Sequence, residues 1–206
     1  MNKKNLLIIF TKNPVAGNVK TRLARDIGEE NALEIYKFLL DHSFKITTAL
    51  NITKQVHYSE DVPDEDLWDQ GDFDKKLQYG KDLGIRMENA FRDGFRAGFE
   101  KIVIIGTDLL ELRTEDIEFA FSALDNKDYV IGPAEDGGYY LFGMTELNTE
   151  VFRKKTWSTP SVFEDTLKNI KNSRIELLRT QNDIDVLDDI IDHPTFQKFL
   201  KYDRQN

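Results

Sequence analysis

The sequence contains no cysteine, which excludes a disulfide framework and any thiolate metal site. Histidine is scarce too. The three present, His42, His57 and His193, show no ligand spacing, and no serine–histidine arrangement suggests a hydrolase triad. No apolar stretch approaches the ~20 residues needed to cross a membrane as a helix. At the start, Lys3 and Lys4 precede a short apolar run, Leu6 to Phe10, too brief for a signal h-region and lacking a small-residue cleavage site. A cytoplasmic protein is expected. An excess of basic charge is missing as well: 28 Lys and Arg stand against 37 Asp and Glu, for a net charge of −9, so no nucleic-acid partner is expected. Linkers, repeats and low-complexity tracts are absent, and 206 residues with 40% hydrophobic and 11% aromatic content suit one core. A single domain spanning 1–206 is expected.

The charge that is present is unevenly placed. Lys3, Lys4, Lys12, Lys20, Arg22 and Arg25 all precede the first acid, Asp26. A locally positive segment on an acidic protein suits a small polyanion such as a nucleoside di- or triphosphate. Chance clustering accounts for Lys3 and Lys4 better than for the rest.

Hydrophobic periodicity alternates between strand and helix. Leu6 to Phe10 is a continuous apolar run of buried-strand type, and 29–50 repeats apolar residues at helical spacing through Ala32, Ile35, Tyr36, Leu39 and Ile46. A second strand is predicted over Ile52 to Tyr58. A helix carrying Leu83, Met87, Ala90, Phe91 and Phe95 leads to the β-branched run Ile102-Val103-Ile104-Ile105. A helix opens at Thr114, strands lie near 129–132 and 139–143, a helix spans 160–172, a strand 174–178 and a last helix 194–202. The acidic stretch from Ser59 to Gly71 reads as an irregular surface excursion. Strands separated by helices imply an α/β fold, a three-layer α/β/α arrangement around a mostly parallel central sheet.

Three segments carry chemistry. The stretch Thr11 to Leu23 leaves a buried strand and feeds a helix, where backbone N–H groups and the helix dipole favour phosphate. Gly17 permits close approach or positive φ, and Lys20 and Arg22 supply a point charge and a planar fork for phosphate oxygens. It is neither a Walker A loop nor a dinucleotide fingerprint. On spacing alone, an ordinary turn followed by solvated helix residues stands beside the phosphate reading. Asp108, just beyond the most strand-like segment, is placed to hold Mg²⁺ or Mn²⁺ against a diphosphate, with a turn or capping role as its alternative. Asp136-Gly137 between two strand-like runs is a hairpin signal. With Gly138 it also makes a wall without side chains that a sugar could approach. The late cluster Asp183, Asp185, Asp188, Asp189 and Asp192 reads mainly as a helix start and its solvated face, but Asp183 or Asp185 could supply a second metal carboxylate.

Taken together the motifs resemble a family. The set Lys12-x-Pro14-x-x-Gly17-x-x-Lys20-Thr21-Arg22-Leu23, Gln78-x-Gly80-x-Asp82-Leu83-Gly84-x-Arg86-Met87, Gly106-x-Asp108, Gly132-Pro133-x-x-Asp136-Gly137-Gly138-Tyr139-x-Leu141-x-Gly143 and Trp157-Ser158-Thr159 is similar to the radical-SAM/selenodomain-associated transferases. These are grouped with the glycosyltransferase A-like, nucleotide-diphosphosugar transferase fold, and some members are described as arsenosugar-biosynthesis glycosyltransferases. The first loop also resembles the guanylyltransferases acting on phospholactate and molybdopterin. The resemblance covers residues 6–189 and departs at Leu110, where the family usually has proline.

The resemblance implies a metal-dependent transferase using a nucleotide-activated donor and a small-molecule acceptor. Lys12, Gly17, Lys20 and Arg22 would meet phosphates, Gln78 and Gly80 the base or ribose, and Arg86 the phosphates. Asp108 with Asp183 or Asp185 would hold Mg²⁺ or Mn²⁺, and Asp136, Gly137, Gly138, Tyr139 and Trp157 would form the second-substrate pocket. Glycosyl transfer from a sugar nucleotide is favoured. Nucleotidyl transfer from a triphosphate, with release of pyrophosphate, uses the same site, and a binding module without turnover is the reading that Leu110 leaves open.

Overall fold

The computed structural model describes residues 2–200. Its centre is a seven-stranded sheet built from β1 (Asn2–Thr11), β2 (Ile52–Tyr58), β3 (Asp74–Leu77), β4 (Lys101–Ile105), β5 (Tyr129–Pro133), β6 (Tyr139–Met144) and β7 (Ile175–Leu177). The order is β3-β2-β1-β4-β6-β5-β7. Only β6 runs antiparallel, to β4 and β5, while every other neighbouring pair is parallel. The expected mostly parallel sheet and three-layer α/β/α fold are therefore present, and the antiparallel strand is the one that the Asp136-Gly137 turn introduces.

Burial explains why the strands read as continuous apolar runs: both faces of the sheet are covered. Along β1, Leu7 and Ile9 face a layer that includes Tyr36, Leu40, Ile117 and Phe121, whereas Leu6 and Ile8 face Met87, Phe91, Phe142 and Phe152. This is the two-residue alternation of a strand applied to two cores. The helices are α1 (Thr21–Ile27), α2 (Glu29–Thr48), α3 (Leu83–Arg96), α4 (Thr114–Ala123), α5 (Val162–Asn169) and α6 (Gln197–Leu200). Gly28, at φ +82°, separates α1 from α2, a bend that a side chain would resist. Asp82 caps α3 by accepting from Ile85 N at 2.9 Å. A third cluster joins Leu23, Ile35 and Leu39 to Ile184, Ile190 and Phe196, so the C-terminal segment is pinned against α1 and α2.

Several local expectations change. β3, of sequence Asp-Lys-Lys-Leu, was not anticipated. The stretch 59–71 is not wholly a surface excursion, because its 3-10 turn Leu67–Gln70 buries Trp68 against Phe44 and Phe73. The acidic run after Asp183 forms one 3-10 turn, Leu187–Asp189, in place of a longer helix. The closing helix begins as a 3-10 turn at Pro194–Phe196, and Tyr202 lies outside the described residues. Among the described residues, no helix is long and apolar enough to cross a membrane.

Candidate functional site

From β1 the chain continues to β2 on one side of the sheet, while β4 lies on the other. Such a divergence leaves a crevice outside the carboxyl ends of the two strands. The loop 12–20 and the segment Gly106–Asp108 border it. Lys20 adopts a left-handed conformation (φ 48°, ψ 42°) at the entrance to α1, and its Nζ lies 2.7 Å from Asp108 Oδ1. Lys20 was expected to meet phosphates and not the core, or else to be a solvated helix residue. Its side chain is instead 4% exposed, whereas that of Asp108 is 45% exposed. Gly17 has φ +80°, and a Cβ there would sit 3.2 Å from a carboxylate oxygen of Glu29, so loop and helix start approach closely. Lys12 is exposed at the loop's beginning.

A buried phenol fastens the loop from below. The Lys12 N–H donates to Tyr36 Oη at 2.9 Å, and the same oxygen lies 3.1 Å from Thr11 Oγ1 and 3.3 Å from Thr107 Oγ1. Burial and then the Asp108 charge push the Tyr36 hydroxyl up to about 12. Asn13, also buried, donates to Asp61 O at 2.9 Å and accepts from Glu60 N at 3.2 Å, tying the loop to the chain beyond β2. Sequence spacing marks Tyr36 only as a core-facing helix position.

Asp183 completes an acidic surface. Its carboxyl is raised to about 6, first by burial, then by the charge of Asp136, with Asp108 adding to the rise and Lys20 opposing it. The chain around it is held to the Asp108 segment, since Ile184 N donates to Asp108 O at 3.0 Å. Asp185 is differently engaged: its Oδ2 accepts from Arg22 Nη1 at 3.0 Å. Asp183, not Asp185, is thus the late acid whose charge is felt together with those of Asp108 and Asp136, and Arg22 reaches a carboxylate at the rim. Leu110, standing where proline was expected, packs with the apolar cluster containing Ile184 and Ile190.

Among the described residues, no group of three or more His, Asp or Glu is arranged to hold a metal ion by itself. Asp108 and Asp183, whose charges bear on each other, are the carboxylates here that a hard divalent cation would use, its shell being completed by phosphate and water oxygens.

On the β2–β3 side, Gln78 and Arg86 serve the framework. The Gln78 Nε2 donates to His57 O at 2.8 Å and Thr11 O at 3.3 Å. Arg86 donates to Gly80 O at 3.2 Å and to Ser59 O and Gln78 Oε1 at 3.4 Å. Gly80, at φ +140°, has no room for a side chain, because a Cβ would stand 2.9 Å from Arg86 N.

The third segment is a tight turn. Gly137 has φ +86°, and a Cβ there would overlap the Pro160 carbonyl. Asp136 is exposed and accepts from Gly138 N at 2.7 Å. Tyr139 and Trp157 are packing residues here. Their ring centroids are 6.4 Å apart, Tyr139 lies 5.3 Å from Phe142, and Trp157 closes over Gly84.

Comparison with known proteins places this geometry. A protein of Desulfovibrio desulfuricans G20 described as a "putative nucleotide-diphospho-sugar transferase" superposes with a TM-score of 0.82 at 28% identity, over 90% of this chain and 84% of that one. The 4-diphosphocytidyl-2C-methyl-D-erythritol synthase of Anaerococcus prevotii DSM 20548 matches at TM-score 0.62 and 10% identity, covering 95% and 96% of the two chains. A Mycobacterium tuberculosis H37Rv protein solved in complex with manganese matches at TM-score 0.54 and 10% identity, covering 97% and 100%. These likenesses bear out the glycosyltransferase A-like, nucleotide-diphosphosugar transferase fold. No curated protein matches the sequence. A family model matches residues 41–159, more than half of the chain, and the protein belongs to that family, described as "Uncharacterized protein conserved in bacteria (DUF2064)".

Proposed function

We propose that the protein is a divalent-metal-dependent transferase that takes a nucleotide-activated donor in the crevice between loop 12–20 and Asp108. The observation that carries this reading is the convergence of a buried lysine with Asp108, Asp136 and Asp183 at the carboxyl ends of β1 and β4. Asp183, raised to about 6 first by burial and then by the charge of Asp136, would together with Asp108 repel a diphosphate unless a cation lay between. Asp108 and Asp183 are the residues to hold Mg²⁺ or Mn²⁺, which would supply the counter-charge for the leaving phosphate. Lys20 fixes the carboxylate of Asp108 and adds positive charge from beneath the loop. The loop amides and the exposed Lys12 face the phosphates. Gln78 and Arg86 shape the base side by holding Gly80 and Ser59 in place. Asp136 and Gly138 border the acceptor side.

Glycosyl transfer is the favoured chemistry. The resemblance to arsenosugar-biosynthesis glycosyltransferases and the description of the Desulfovibrio protein both point that way. In that reaction the acceptor hydroxyl oxygen bonds to the sugar's anomeric carbon, the bond from that carbon to the diphosphate oxygen breaks, the nucleoside diphosphate departs with the electron pair, and the hydroxyl proton passes to a nearby carboxylate or water.

A melting-temperature screen against sugar nucleotides and nucleoside triphosphates, with and without Mn²⁺, tests the proposal. A donor at 100 times its Kd adds about 2.7 kcal/mol of stability. Stabilisation by a sugar nucleotide that depends on Mn²⁺ is expected. A response confined to triphosphates would instead indicate nucleotidyl transfer, and no response to either would remove the proposal.

A further inference from the structure

The Tyr36 hydroxyl stands at the meeting point of two loops that start on different strands. It lies 2.9 Å from Lys12 N, 3.2 Å from Lys12 O, 3.1 Å from Thr11 Oγ1 and 3.3 Å from Thr107 Oγ1. A phenol has one proton to give and accepts about two hydrogen bonds. With its proton directed to Lys12 O, it accepts from Lys12 N–H, and the threonine hydroxyls compete for the remaining place. Thr11 and Thr107 are both buried, and although the Thr11 hydroxyl can also donate to Lys12 O at 3.2 Å, neither has water as a ready substitute. The hydroxyl is held in its protonated, donating form at neutral pH.

The other end of loop 12–20 is fastened to the same segment by Lys20 and Asp108. The loop is therefore clamped twice against the chain Gly106–Asp108, at its start through Tyr36 and Thr107 and at its end through the ion pair. Resting on the function proposed above, we infer that Tyr36 is a positioning residue that sets the distance between the phosphate-facing loop and the Asp108 carboxylate. α2 acts as the rigid post that carries it.

The consequence is a coupling. A metal held by Asp108 strengthens nucleotide binding only if the loop presents phosphate oxygens at the right separation, and Tyr36 maintains that separation without touching either ligand. Tyr36→Phe keeps the ring in the core and removes only the clamp.

The test compares wild type, Tyr36→Phe and Ile170→Ala, the last a cavity in the opposite layer that lowers stability without touching the site. Binding of UDP and of GTP is measured by calorimetry with and without Mn²⁺, below the melting temperature of every variant. In Tyr36→Phe the Mn²⁺-dependent gain in nucleotide affinity is expected to fall about tenfold or more, as misplacement of interacting groups produces, and in Ile170→Ala to persist. Amide hydrogen exchange on the unligated proteins gives an independent readout: the 12–20 and 106–108 segments should exchange faster in Tyr36→Phe alone. An undiminished Mn²⁺ gain in Tyr36→Phe, or unchanged exchange at these two segments, overturns the inference. A wild type without any Mn²⁺-dependent gain for these nucleotides or for any donor in the melting-temperature screen removes the proposed function instead, and the exchange comparison then decides the clamp by itself.

Discussion

Lys20 Nζ and Asp108 Oδ1 are 2.7 Å apart, yet one side chain is 4% and the other 45% exposed. The pair is a buried cation reaching up to a carboxylate at the edge of solvent. Lys20 holds this position from a left-handed backbone conformation, which costs a non-glycine residue roughly 1–2 kcal/mol. Strain of that kind persists where surrounding contacts over-determine it, and here the neighbours are the loop and the Asp108 segment.

The asymmetry makes the two halves of the pair unequal. Asp108→Asn strands an ammonium group among buried atoms and is expected to cost about 1–3 kcal/mol, below the 3–5 kcal/mol of a fully buried pair because the charge of Asp183 still acts on Lys20. Lys20→Met leaves a carboxylate that water can reach and should cost less than about 1 kcal/mol. Urea denaturation of both variants checks the order. Equal losses, or a larger loss for Lys20→Met, would contradict the buried-cation description. Both variants should lose Mn²⁺-dependent donor binding.

The two glycines of the Asp136 turn are expected to part company. Gly137→Ala meets both a positive φ and the Pro160 carbonyl, and should destabilise by about 1–3 kcal/mol. In Gly138→Ala the new Cβ meets only Asp136 Oδ1, at 3.0 Å, and the fold should change by less than about 1 kcal/mol. If Gly138 borders the acceptor, that variant keeps donor affinity and loses transfer. Melting curves and a turnover assay separate the two effects, and normal turnover in Gly138→Ala would confine this turn to a structural role.

Much of this architecture is legible in the sequence because burial writes itself into pattern. Leu6 to Phe10 and Ile102 to Ile105 could be placed as central strands since both faces are covered and every position is apolar. Asp74 to Leu77 escaped for the opposite reason: an edge strand carrying Asp and two Lys has neither the propensity nor the alternation that marks a strand. That Asp108 and Asp136 lie just beyond strands, and Lys20 at the end of the loop that follows β1, was readable from the strand-like runs before them. The burial of Lys20 was not, because the atoms that cover it come from elements distant in the chain. The Tyr36 hydroxyl failed similarly: its helical spacing reports a core-facing ring, while its partners lie 24, 25 and 71 residues away. Gln78 and Arg86 carried no local signal beyond a helix entrance and stood out only through the family resemblance.

Arg86 offers a test of the proposed base side. Its guanidinium spans Gly80 O, Ser59 O and Gln78 Oε1, a fork that a lysine cannot reproduce. Arg86→Lys should lower stability by about 1 kcal/mol and weaken donor binding with or without Mn²⁺, leaving the metal-dependent gain in place. Loss of that gain alone would move Arg86 from the base side to the metal side of the site.

The pH response of Asp183 provides the most direct probe of the crowded carboxylates. Its pKa rises to about 6 in the folded protein, first through burial and next through Asp136, against an ordinary value near 3.9 in the unfolded chain. Below about pH 4 the group is protonated in both states and contributes nothing. Between about 4 and 6 the folded state holds more protons, so stability falls as pH rises through that window. Above it the ionised carboxylate carries a constant penalty, on the order of 1 kcal/mol once solvent screening of this partly exposed group is allowed for. Asp183→Asn removes the penalty. The unligated variant should therefore melt higher than wild type at about pH 7.5 and converge with it near pH 4. Mn²⁺ should raise the wild-type melting temperature at pH 7.5 and leave the variant almost unmoved, because the cation offsets the same burial and repulsion of the ionised carboxylate that the substitution removes. An Asp183→Asn protein less stable than wild type at neutral pH would show that ionised Asp183 carries no such penalty, and one equally responsive to Mn²⁺ would show that Asp183 does not share the metal.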